Sequence, residues 1–479
     1  MPGRERRTKI VATLGPASDS PEMIRRLIEA GVNVFRLNFS HGSHETHGSA
    51  IQQIRLMAAE AGQPICILQD LQGPKIRIGE LVDHKPIVLA AGSRVRITAA
   101  AVVGSPEVLS TTYAALPDDV RKGDLILLDD GRLQLKALGV TGRDVLAEVV
   151  VGGLLGEHKG MNLPGTPLSA PCVTEKDRAD LRFGIQAGVD LIGLSFVRRA
   201  SDIQSLRAET TELGREVPVI AKIERVEAIA NLEEIIDAAD GVMIARGDLG
   251  VETSAAEVPL LQKRILEVAG QRGKPDITAT QMLETMVSNP QPSRAEATDV
   301  ANAVFDGTDA LMLSAETAVG KYPLEAVRMM SEIAMAAEEH LEEYRRQAPR
   351  VRAGAPAGIC EASVHAACLA AQELGASAIA VFTLSGRTAF LVASRRPPAP
   401  IFAFTPAEES YRRLALAWGV KPVLSELAGD SDALAAMADK AVRAQGLLRA
   451  GDLVVMLTGS AAIPGATNIM RIHRVGGER

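Results

Sequence analysis

The sequence predicts an α/β protein: a (β/α)8 TIM barrel with an inserted all-β lid domain and a C-terminal α/β domain. Eight short apolar runs alternate with segments of helical period, and such alternation indicates a parallel sheet. Eight repeats favour a closed barrel over an open doubly wound sheet. About a hundred residues between the third and fourth runs do not fit the repeat, which indicates an inserted domain.

The eight apolar runs are the predicted barrel strands. In chain order they are KIVATLG, VNVFRLNFS, PICILQDL, VDLIGLSF, PVIAKIE, GVMIARGDLG, PDITATQM and DALMLSAET. Several of the helical segments between them, such as SPEMIRRLIEAG, begin at Ser, Asp or Glu and end at Gly, as capped helices do. We expect the barrel to comprise residues 1–72 and 172–345, with Asp276 at the solvent-facing start of the seventh strand.

Residues 73–171 read as a β-barrel lid domain. The segment has short alternating runs and turn pairs such as Asp130-Gly131, with almost no helical period. Because it follows the third strand, we expect it to cover the mouth of the barrel where the strands end. A connector rich in Pro, Ala and Arg, residues 346–358, then leads to a regulatory α/β domain at residues 359–479.

Composition excludes several classes of partner. A net charge of −7 gives no general attraction to nucleic acid or to an anionic membrane. The basic start of the chain lacks the apolar run of a signal peptide, so we expect a cytoplasmic protein. The four cysteines are scattered without metal-like spacing, and we expect small buried side chains without a disulfide framework.

Polar residues fall at the ends of the predicted barrel strands, which is the active-site face of this fold. They are Arg36, Asn38, Ser40, Asp70, Ser195, Lys222, Glu224, Asp248, Thr280, Gln281, Ser314 and Glu316. Two carboxylates on adjacent strands, Glu224 and Asp248, would repel by about 4 kcal/mol at about 4 Å and intermediate dielectric. A divalent cation removes that cost, and oxygen ligands favour Mg²⁺ or Mn²⁺ over zinc.

The cationic side chains near the predicted metal indicate the kind of substrate group that would bind beside it. Lys222 lies beside the two carboxylates, and Arg36 and Arg77 are expected to face the same space. Such a pocket suits a transferring phosphoryl group or an enolate. Taken singly, each feature has a simpler interpretation: Lys222 and Glu224 as a solvated rim pair, Asp248 as a helix cap, and His41 as a loop residue.

The motifs that carry this chemistry resemble those of the pyruvate kinase family, in the same order and from end to end of the chain. They are TKIVATLGPAS, VNVFRLNFSHG, DLQGPKIR, AKIER, ARGDLGVE, TATQMLETM, GDLVVMLTG and the long block PSRAEATDVANAVFDGTDALMLSAETAVGKYPLEAV. The resemblance implies transfer of the phosphoryl group of phosphoenolpyruvate to ADP, giving pyruvate and ATP in glycolysis. It also implies the three-part architecture predicted above and a homotetramer.

The resemblance implies a role for each matching position. Glu224 and Asp248 would hold the divalent metal, and Lys222 would stabilise the phosphoryl group in flight. The substrate carboxylate would be held by the amides of Gly247 and Asp248 together with Thr280. Arg36 and Arg77 would contact phosphates. The nucleotide side would be formed by Pro16, His41, Arg77 and Lys159. The enolate would be protonated through water, with Ser314 and Glu316 as candidates for that relay.

Two further sites follow from the same resemblance. The loop between a predicted strand and helix of the C-terminal domain would bind an effector phosphate through Thr383, Ser385, Gly386, Arg387 and Thr388. An ordinary Ser-Gly turn with a helix cap is the simpler alternative. The later loop TGSAAIPGAT departs from the pattern for fructose 1,6-bisphosphate, so AMP or a sugar monophosphate is the expected effector.

The motif DLQGPKIR bears on the monovalent cation. Most relatives need K⁺ and carry a threonine and a glutamate where this chain has Leu71 and Lys75. Lysine here resembles the potassium-independent branch, so K⁺ would not be required. We expect the ammonium of Lys75 to occupy the space of the ion, near Asn38, Ser40 and Asp70. The alternative is that Lys75 points from the hinge into solvent.

Two rival functions remain open at this point. A different Mg²⁺-dependent barrel acting on pyruvate or phosphoenolpyruvate would share the metal carboxylates but would need no ADP. A sensor with an inert barrel would bind phosphosugars through its C-terminal domain. Such a sensor should have lost Lys222, Glu224 or Asp248, and all three are present.

Overall fold

Eight parallel strands close into a barrel, as the sequence predicts. The computed structural model describes residues 5–341, 343, 358–426, 431–444, 446, 449–459 and 467–476. The barrel strands, numbered below from first to eighth, are Lys9–Thr13, Val34–Asn38, Cys66–Asp70, Leu191–Leu194, Val219–Ile223, Gly241–Ala245, Asp276–Ala279 and Ala310–Leu313. Each strand pairs with its neighbours in chain order, and the first pairs with the eighth to complete the ring.

Helices surround the barrel, and several of them begin at the capping residues that the sequence indicates. They are Pro21–Glu29, His44–Ala61, Glu175–Ala187, Ala200–Glu212, Val226–Ala230, Leu232–Ala238, Arg246–Glu252, Val258–Gln271, Arg294–Asp306, Ala315–Ala318 and Pro323–Glu339. The first of these begins at Ser20, whose side chain accepts a hydrogen bond from the Met23 amide. The second ends at Gly62 in the left-handed conformation.

The insertion folds as an all-β lid. Six strands form one sheet: Arg94–Thr98, Val108–Ser110, Leu125–Leu128, Leu133–Thr141, Asp144–Val151 and Met161–Asn162. Two more, Ile87–Leu89 and Gly153–Leu155, form a separate antiparallel pair. A single helical turn, Leu116–Asp119, and a 3₁₀ turn, Val82–His84, interrupt them. Closure of these strands into a β-barrel and the predicted domain limits stay predictions.

The C-terminal domain is a five-stranded sheet flanked by helices. The strands, in spatial order, are Val420–Leu424, Ile401–Thr405, Ala378–Phe382, Leu453–Gly459 and Thr467–Arg474. All neighbours are parallel except the last pair. The helices are Ile359–Glu373, Arg387–Ser394, Glu408–Arg413 and Ser431–Ala444. Most of the predicted connector, residues 346–357, lies outside the described residues.

The floor of the barrel, the end at which its strands begin, is packed against the C-terminal domain. Ala415 and Leu416, from a 3₁₀ turn of that domain, join the buried cluster that fills the barrel interior, which includes Val11, Leu68 and Ile277. These apolar side chains leave the interior a packed core, so ligands can enter only from the mouth.

Asp276 corrects a prediction at this floor. The sequence predicts that Asp276 faces solvent at the start of the seventh strand. In the structure it is only 1% exposed. Its Oδ1 accepts hydrogen bonds from the Thr308 hydroxyl, at 2.8 Å, and from the Asp309 amide, at 2.9 Å. Arg396 of the C-terminal domain donates to Asp309 Oδ1 at 2.6 Å. The prediction is wrong because the C-terminal domain covers this end of the barrel.

Other expectations from composition can be compared with the fold. None of the four cysteines, all of which the structure describes, forms a disulfide; three of them are buried and Cys368 is half-buried. Among the described residues, no helix has the length and apolar character needed to cross a membrane.

Candidate active site

A buried lysine organises the mouth of the barrel. Lys222, in the fifth strand, places its Nζ 2.7 Å from Ser195 Oγ, 2.9 Å from Glu224 Oε1 and 3.1 Å from Asp70 Oδ1. These partners come from the ends of the third and fourth strands and from the residue after the fifth. The fold therefore brings together Asp70, Lys222 and Glu224, which were predicted from their positions at strand ends.

The charges of this cluster fix its protonation. Burial lowers the pKa of Lys222, but the carboxylates of Asp70 and Glu224 outweigh burial and raise it above its ordinary value. Burial likewise raises the pKa of Asp70, yet Lys222 and Arg36 together bring it below the ordinary value. Burial raises the pKa of Glu224; Lys222 opposes that rise and Asp248 adds to it. Lys222 is thus held protonated, facing the mouth.

Arg36 is held beside the lysine by the same aspartate. Its Nε and Nη2 both lie 2.6 Å from Asp70 Oδ2, and its Nη1 donates to Thr13 Oγ1 at 3.1 Å. Thr13 in turn donates to the Leu313 carbonyl at 2.9 Å. Sequence reasoning missed Thr13, which carries no catalytic signature, although its place at the end of the first strand could have indicated it.

The turn after the seventh strand is strained and braced. Thr280 and Gln281 have φ angles of 68° and 56°, a conformation that costs free energy for a β-branched residue such as threonine. Thr280 Oγ1 accepts a hydrogen bond from the Gly247 amide at 2.8 Å, which joins two of the predicted substrate-carboxylate ligands. Arg246 donates to the Thr280 carbonyl at 2.7 Å and pairs with Asp299, also at 2.7 Å. Sequence reasoning missed Arg246.

The predicted metal ligands fit a magnesium site. Asp248 is half-buried in the helix Arg246–Glu252 and lines the cleft under the lid together with Phe196 and Lys75. Within the described residues no three His, Cys, Asp or Glu side chains are grouped to hold a metal alone. Mg²⁺ commonly takes only one or two carboxylates and completes its shell with water and substrate oxygens. Glu224, whose Oε2 also accepts a hydrogen bond from the Phe196 amide at 2.7 Å, and Asp248 are the carboxylates that would form such a donor set.

The lid supplies part of the cleft wall. Arg77 Nη1 donates to the His158 carbonyl at 2.8 Å, and Lys159 Nζ lies 2.9 Å from Asp129 Oδ1, so both cations are anchored within the lid. His41 is exposed on the facing loop. Burial of its ring, followed by the positive charges of Lys75, Arg77 and Arg36, lowers the pKa of His41. The nucleotide side predicted from the sequence is therefore a cationic cleft. Pro16 is exposed after the first strand.

The place predicted for Lys75, near Asn38, Ser40 and Asp70, stays a prediction. Lys75 is exposed, and its ammonium has no hydrogen bond or ion pair within the described part of the chain. Asp70 is already paired with Lys222 and Arg36, which removes the attraction that would draw Lys75 inward. Asn38 Oδ1 accepts from the Ser40 amide at 3.1 Å. Leu71 is buried in the wall of the barrel, with its carbonyl bound to Ser195 Oγ at 2.7 Å.

Glu316 is occupied by the backbone. Fully buried, it accepts hydrogen bonds from the Leu283 amide at 3.1 Å and from the Ser314 amide at 2.7 Å, and burial raises its pKa. Ser314 Oγ, in contrast, is buried without a hydrogen-bond partner in the described structure. Of the two relay candidates, Ser314 has the hydroxyl available for exchange.

The predicted effector loop is partly committed to its own structure. Thr383 Oγ1 accepts from the Gly386 amide at 3.0 Å, and the buried Thr388 hydroxyl lies 2.7 Å from that of Thr467. Ser385 is exposed, and Arg387 is exposed while paired with Glu361 at 2.9 Å. Residues 460–466 of TGSAAIPGAT lie outside the described residues. Ser385 and Arg387 are thus the side chains open to a ligand.

A closed barrel with a buried, protonated lysine beside carboxylates at its mouth defines an enzyme of the (β/α)8 class whose site can stabilise a developing negative charge. The family description "Pyruvate kinase, barrel domain" matches residues 5–327, and "Pyruvate kinase, alpha/beta domain" matches residues 361–473. The chain belongs to the pyruvate kinase family.

Individual pyruvate kinases are similar to this chain over almost its full length. The pyruvate kinase of Geobacillus stearothermophilus is 47% identical over 474 residues, which cover 98% of this chain and 80% of that protein. The pyruvate kinase of Mycobacterium intracellulare is 44% identical, with 98% and 99% covered. The crystal structure of a pyruvate kinase from Cryptosporidium parvum has a TM-score of 0.91 at 35% identity and covers 98% of this chain and 96% of that one.

Proposed function

We propose that this phosphotransferase moves the phosphoryl group of phosphoenolpyruvate to ADP, with the Lys222 cluster as its catalytic centre. The observation that carries this proposal is the buried Lys222 ammonium, within 3.1 Å of Asp70, Glu224 and Ser195 at the barrel mouth. A fixed cation in a site that excludes water stabilises charge developing on a phosphoryl group or an enolate.

The chain's own residues account for each step. The β-phosphate oxygen of ADP forms a bond to phosphorus as the bond from phosphorus to the enol oxygen breaks, and the electron pair stays on that oxygen as an enolate. Lys222 and Arg36 would face the charge that shifts between these oxygens. Thr280 and the Gly247–Asp248 amides would hold the substrate carboxylate. Glu224 and Asp248 would hold a divalent cation, which would supply further positive charge in the same pocket.

Protonation of the enolate carbon completes the reaction. The unpartnered hydroxyl of Ser314 supports a role in passing a proton through water, while Glu316 would hold the turn that carries it. This assignment extends the proposal to the last step, in which the enolate becomes pyruvate.

The closest test of the function is a lactate-dehydrogenase-coupled assay with phosphoenolpyruvate, ADP and Mg²⁺. We expect pyruvate formation that requires both ADP and the metal. Turnover of phosphoenolpyruvate without ADP would instead favour the rival barrel enzyme. A catalytically silent protein that still bound phosphosugars would favour the rival sensor.

Independence from K⁺ is the finer proposal on cofactors. Lys75 lines the cleft together with Asp248, and it carries a tethered positive charge that does not have to be bound from solution. We expect full activity in sodium or tetramethylammonium buffer, and partial K⁺ dependence in Lys75→Glu. Several-fold activation of the unmodified enzyme by K⁺ would contradict the proposal.

Regulation and assembly are proposed from the resemblance of the motifs. A phosphorylated effector, AMP or a sugar monophosphate rather than fructose 1,6-bisphosphate, would bind the loop at Ser385 and Arg387 and activate the enzyme. The subunits would form a homotetramer, and a cytoplasmic location stays a prediction. Analytical ultracentrifugation with and without each effector tests the assembly.

A further inference from the structure

The helix Glu175–Ala187 lies where the lid returns to the barrel, and its first turns contact two other parts of the mouth. Lys176 Nζ donates to the Phe39 carbonyl at 2.7 Å and to Asp180 Oδ2 at 2.6 Å. Phe39 opens the loop that also carries Ser40 and His41. A side chain of one helix thus holds the backbone of the loop that follows the second barrel strand.

Asp180 extends this contact to two more elements. Its Oδ1 lies 2.8 Å from His44 Nε2, at the start of the helix His44–Ala61. Its backbone carbonyl accepts from Gln69 Nε2 at 2.7 Å, one residue before Asp70 of the catalytic cluster. The Asp180 side chain is only 5% exposed, and a buried carboxylate with two polar partners is costly to rearrange.

Ring stacking holds the other side of the same loop. The His44 ring stacks on Phe183, with centroids 4.5 Å apart and planes 5° apart. The His47 ring stacks on Phe39 at 4.0 Å, and its Nε2 lies 2.8 Å from the His41 carbonyl. The carbonyls of Phe39 and His41 are therefore both held by side chains from helices, while the His41 side chain stays exposed toward the cleft.

The same helical turn also holds the lid hinge. Asp177 Oδ1 accepts from the amide of Gly73, the first residue of the insertion, at 3.0 Å. Gly73 has a φ of 68°, and a Cβ there would lie 2.8 Å from the Phe196 ring. One helix turn thus bonds both to the loop on the barrel side of the cleft and to the point where the lid begins.

We propose that Lys176 and Asp180 are positioning residues for the nucleoside diphosphate: they set the conformation of the loop Phe39–His44 and so the affinity for ADP. This inference rests on the proposed function, because it takes His41 to lie on the nucleotide side. Neither residue contacts the Lys222 cluster in the described structure, so the chemical step and the affinity for phosphoenolpyruvate should be spared.

Steady-state kinetics of Lys176→Met and Asp180→Asn test the proposal. We expect the KM for ADP to rise about five- to tenfold, as the net loss of about one ordinary hydrogen bond predicts. The kcat and the KM for phosphoenolpyruvate should stay within about twofold of the parent values. Lys176→Arg, which can still donate to the Phe39 carbonyl, should restore most of the ADP affinity.

The matched control is another ion pair with the same helical spacing. Arg25 and Glu29 pair at 2.6 Å on the helix Pro21–Glu29, outside the loop, and Arg25→Met and Glu29→Gln should leave both KM values unchanged. An unchanged KM for ADP in Lys176→Met and Asp180→Asn, or an equal rise in both KM values, would overturn the proposal.

Calorimetric titration with Mg-ADP separates this proposal from the proposed function. If the parent protein shows no turnover, the proposed function fails, and the titration still measures whether the variants bind Mg-ADP more weakly than the parent. Equal binding by parent and variants, or no binding to either, would overturn the positioning role. Melting temperatures identify a variant that fails to fold, in which case Lys176→Arg and Lys176→Gln carry the comparison, because Lys176 is 52% exposed.

Discussion

At the scale of single residues, the site depends on charges that hold one another in place. Asp70 pairs with both Lys222 and Arg36, so one buried carboxylate orients two cations toward the mouth. Removing one partner of such a set leaves a buried charge uncompensated, which commonly costs about 3–5 kcal/mol. Neutral variants of similar shape are therefore the informative ones.

Glu224→Gln and Asp248→Asn test the metal ligands. Each variant keeps its shape but loses the negative charge that would bind Mg²⁺, so we predict a higher Mg²⁺ concentration for half-maximal activity together with lower activity. A magnesium titration of the coupled assay measures both. An Mg²⁺ requirement identical to that of the parent would remove the residue from the metal site.

The members of this cluster were predicted from their positions at strand ends rather than from their chemical roles. Asp70, Lys222 and Glu224 were predicted because polar residues at barrel strand ends face one common space. Thr13 and Arg246 were missed because side chains that hold other residues have no chemical signature in a sequence. The place predicted for Lys75, near Asn38, Ser40 and Asp70, stays a prediction, because the fold supplies Asp70 with two other cations, Arg36 and Lys222, that the sequence did not pair with it.

At the scale of elements, the floor of the barrel holds a buried pair of aspartates. At the starts of the seventh and eighth strands, the Asp276 amide donates a hydrogen bond to Asp309 Oδ2 and the Asp309 amide donates one to Asp276 Oδ1. Arg396 pairs with Asp309. Burial, and then the charge of Asp309, raises the pKa of Asp276 to about 8. Arg396 also lies 4.8 Å from the ring centroid of Trp418, the one tryptophan of the chain.

Asp276→Asn should change how stability depends on pH. The folded pKa of Asp276 is raised, so its contribution is fully present below the unfolded pKa, near 4, and is lost as pH rises through about 8. Asparagine does not ionise. We predict that the variant gains stability relative to the parent between pH 5 and 8.5, by an amount on the order of 1–3 kcal/mol.

Urea unfolding followed by Trp418 fluorescence measures this difference at each pH. Asp19→Asn, at an exposed position, is the control and should follow the parent curve. Parallel curves for Asp276→Asn and the parent from pH 5 to 8.5 would show that the buried carboxyl does not titrate in this range.

The C-terminal loop gives a second prediction at this scale. Ser385 and Arg387 are the exposed polar side chains of the proposed effector loop, so changing both to Ala should abolish activation by phosphorylated effectors. Activity at saturating phosphoenolpyruvate should be kept. Thr388→Ala, which removes a buried bond to Thr467, should instead lower stability. A doubly substituted enzyme that responds to effectors as before would place the phosphate site elsewhere.

Element prediction succeeded where periodicity was strong and failed where a proline interrupted it. All eight barrel strands were predicted from their apolar runs. The strand Val420–Leu424 was missed because Pro422 breaks its pattern, and it lies at the edge of the C-terminal sheet, where proline is tolerated.

At the scale of the whole molecule, the two ends of the barrel have separate tasks. The mouth carries the reactive charges under the lid, while Ala415, Leu416 and Arg396 of the C-terminal domain pack against the floor. The sequence predicted three domains in this order, but it could not predict that the floor would be covered. Contacts between domains depend on surfaces distant in sequence, as the burial of Asp276 shows.

The helix Arg387–Ser394 connects the proposed effector loop to the floor of the barrel. Its start carries the proposed effector loop, and Arg396, two residues past its end, pairs with Asp309 under the barrel.

The most direct test of the central claim compares two reactions in Lys222→Met. If Lys222 supplies the fixed charge for phosphoryl transfer, the variant should keep its fold at lower stability, lose pyruvate formation from phosphoenolpyruvate and ADP, and still exchange the methyl protons of pyruvate in the presence of Mg²⁺. Proton NMR in D₂O follows the exchange, and the coupled assay follows transfer. Phosphoryl transfer near the parent rate in this variant would contradict the account.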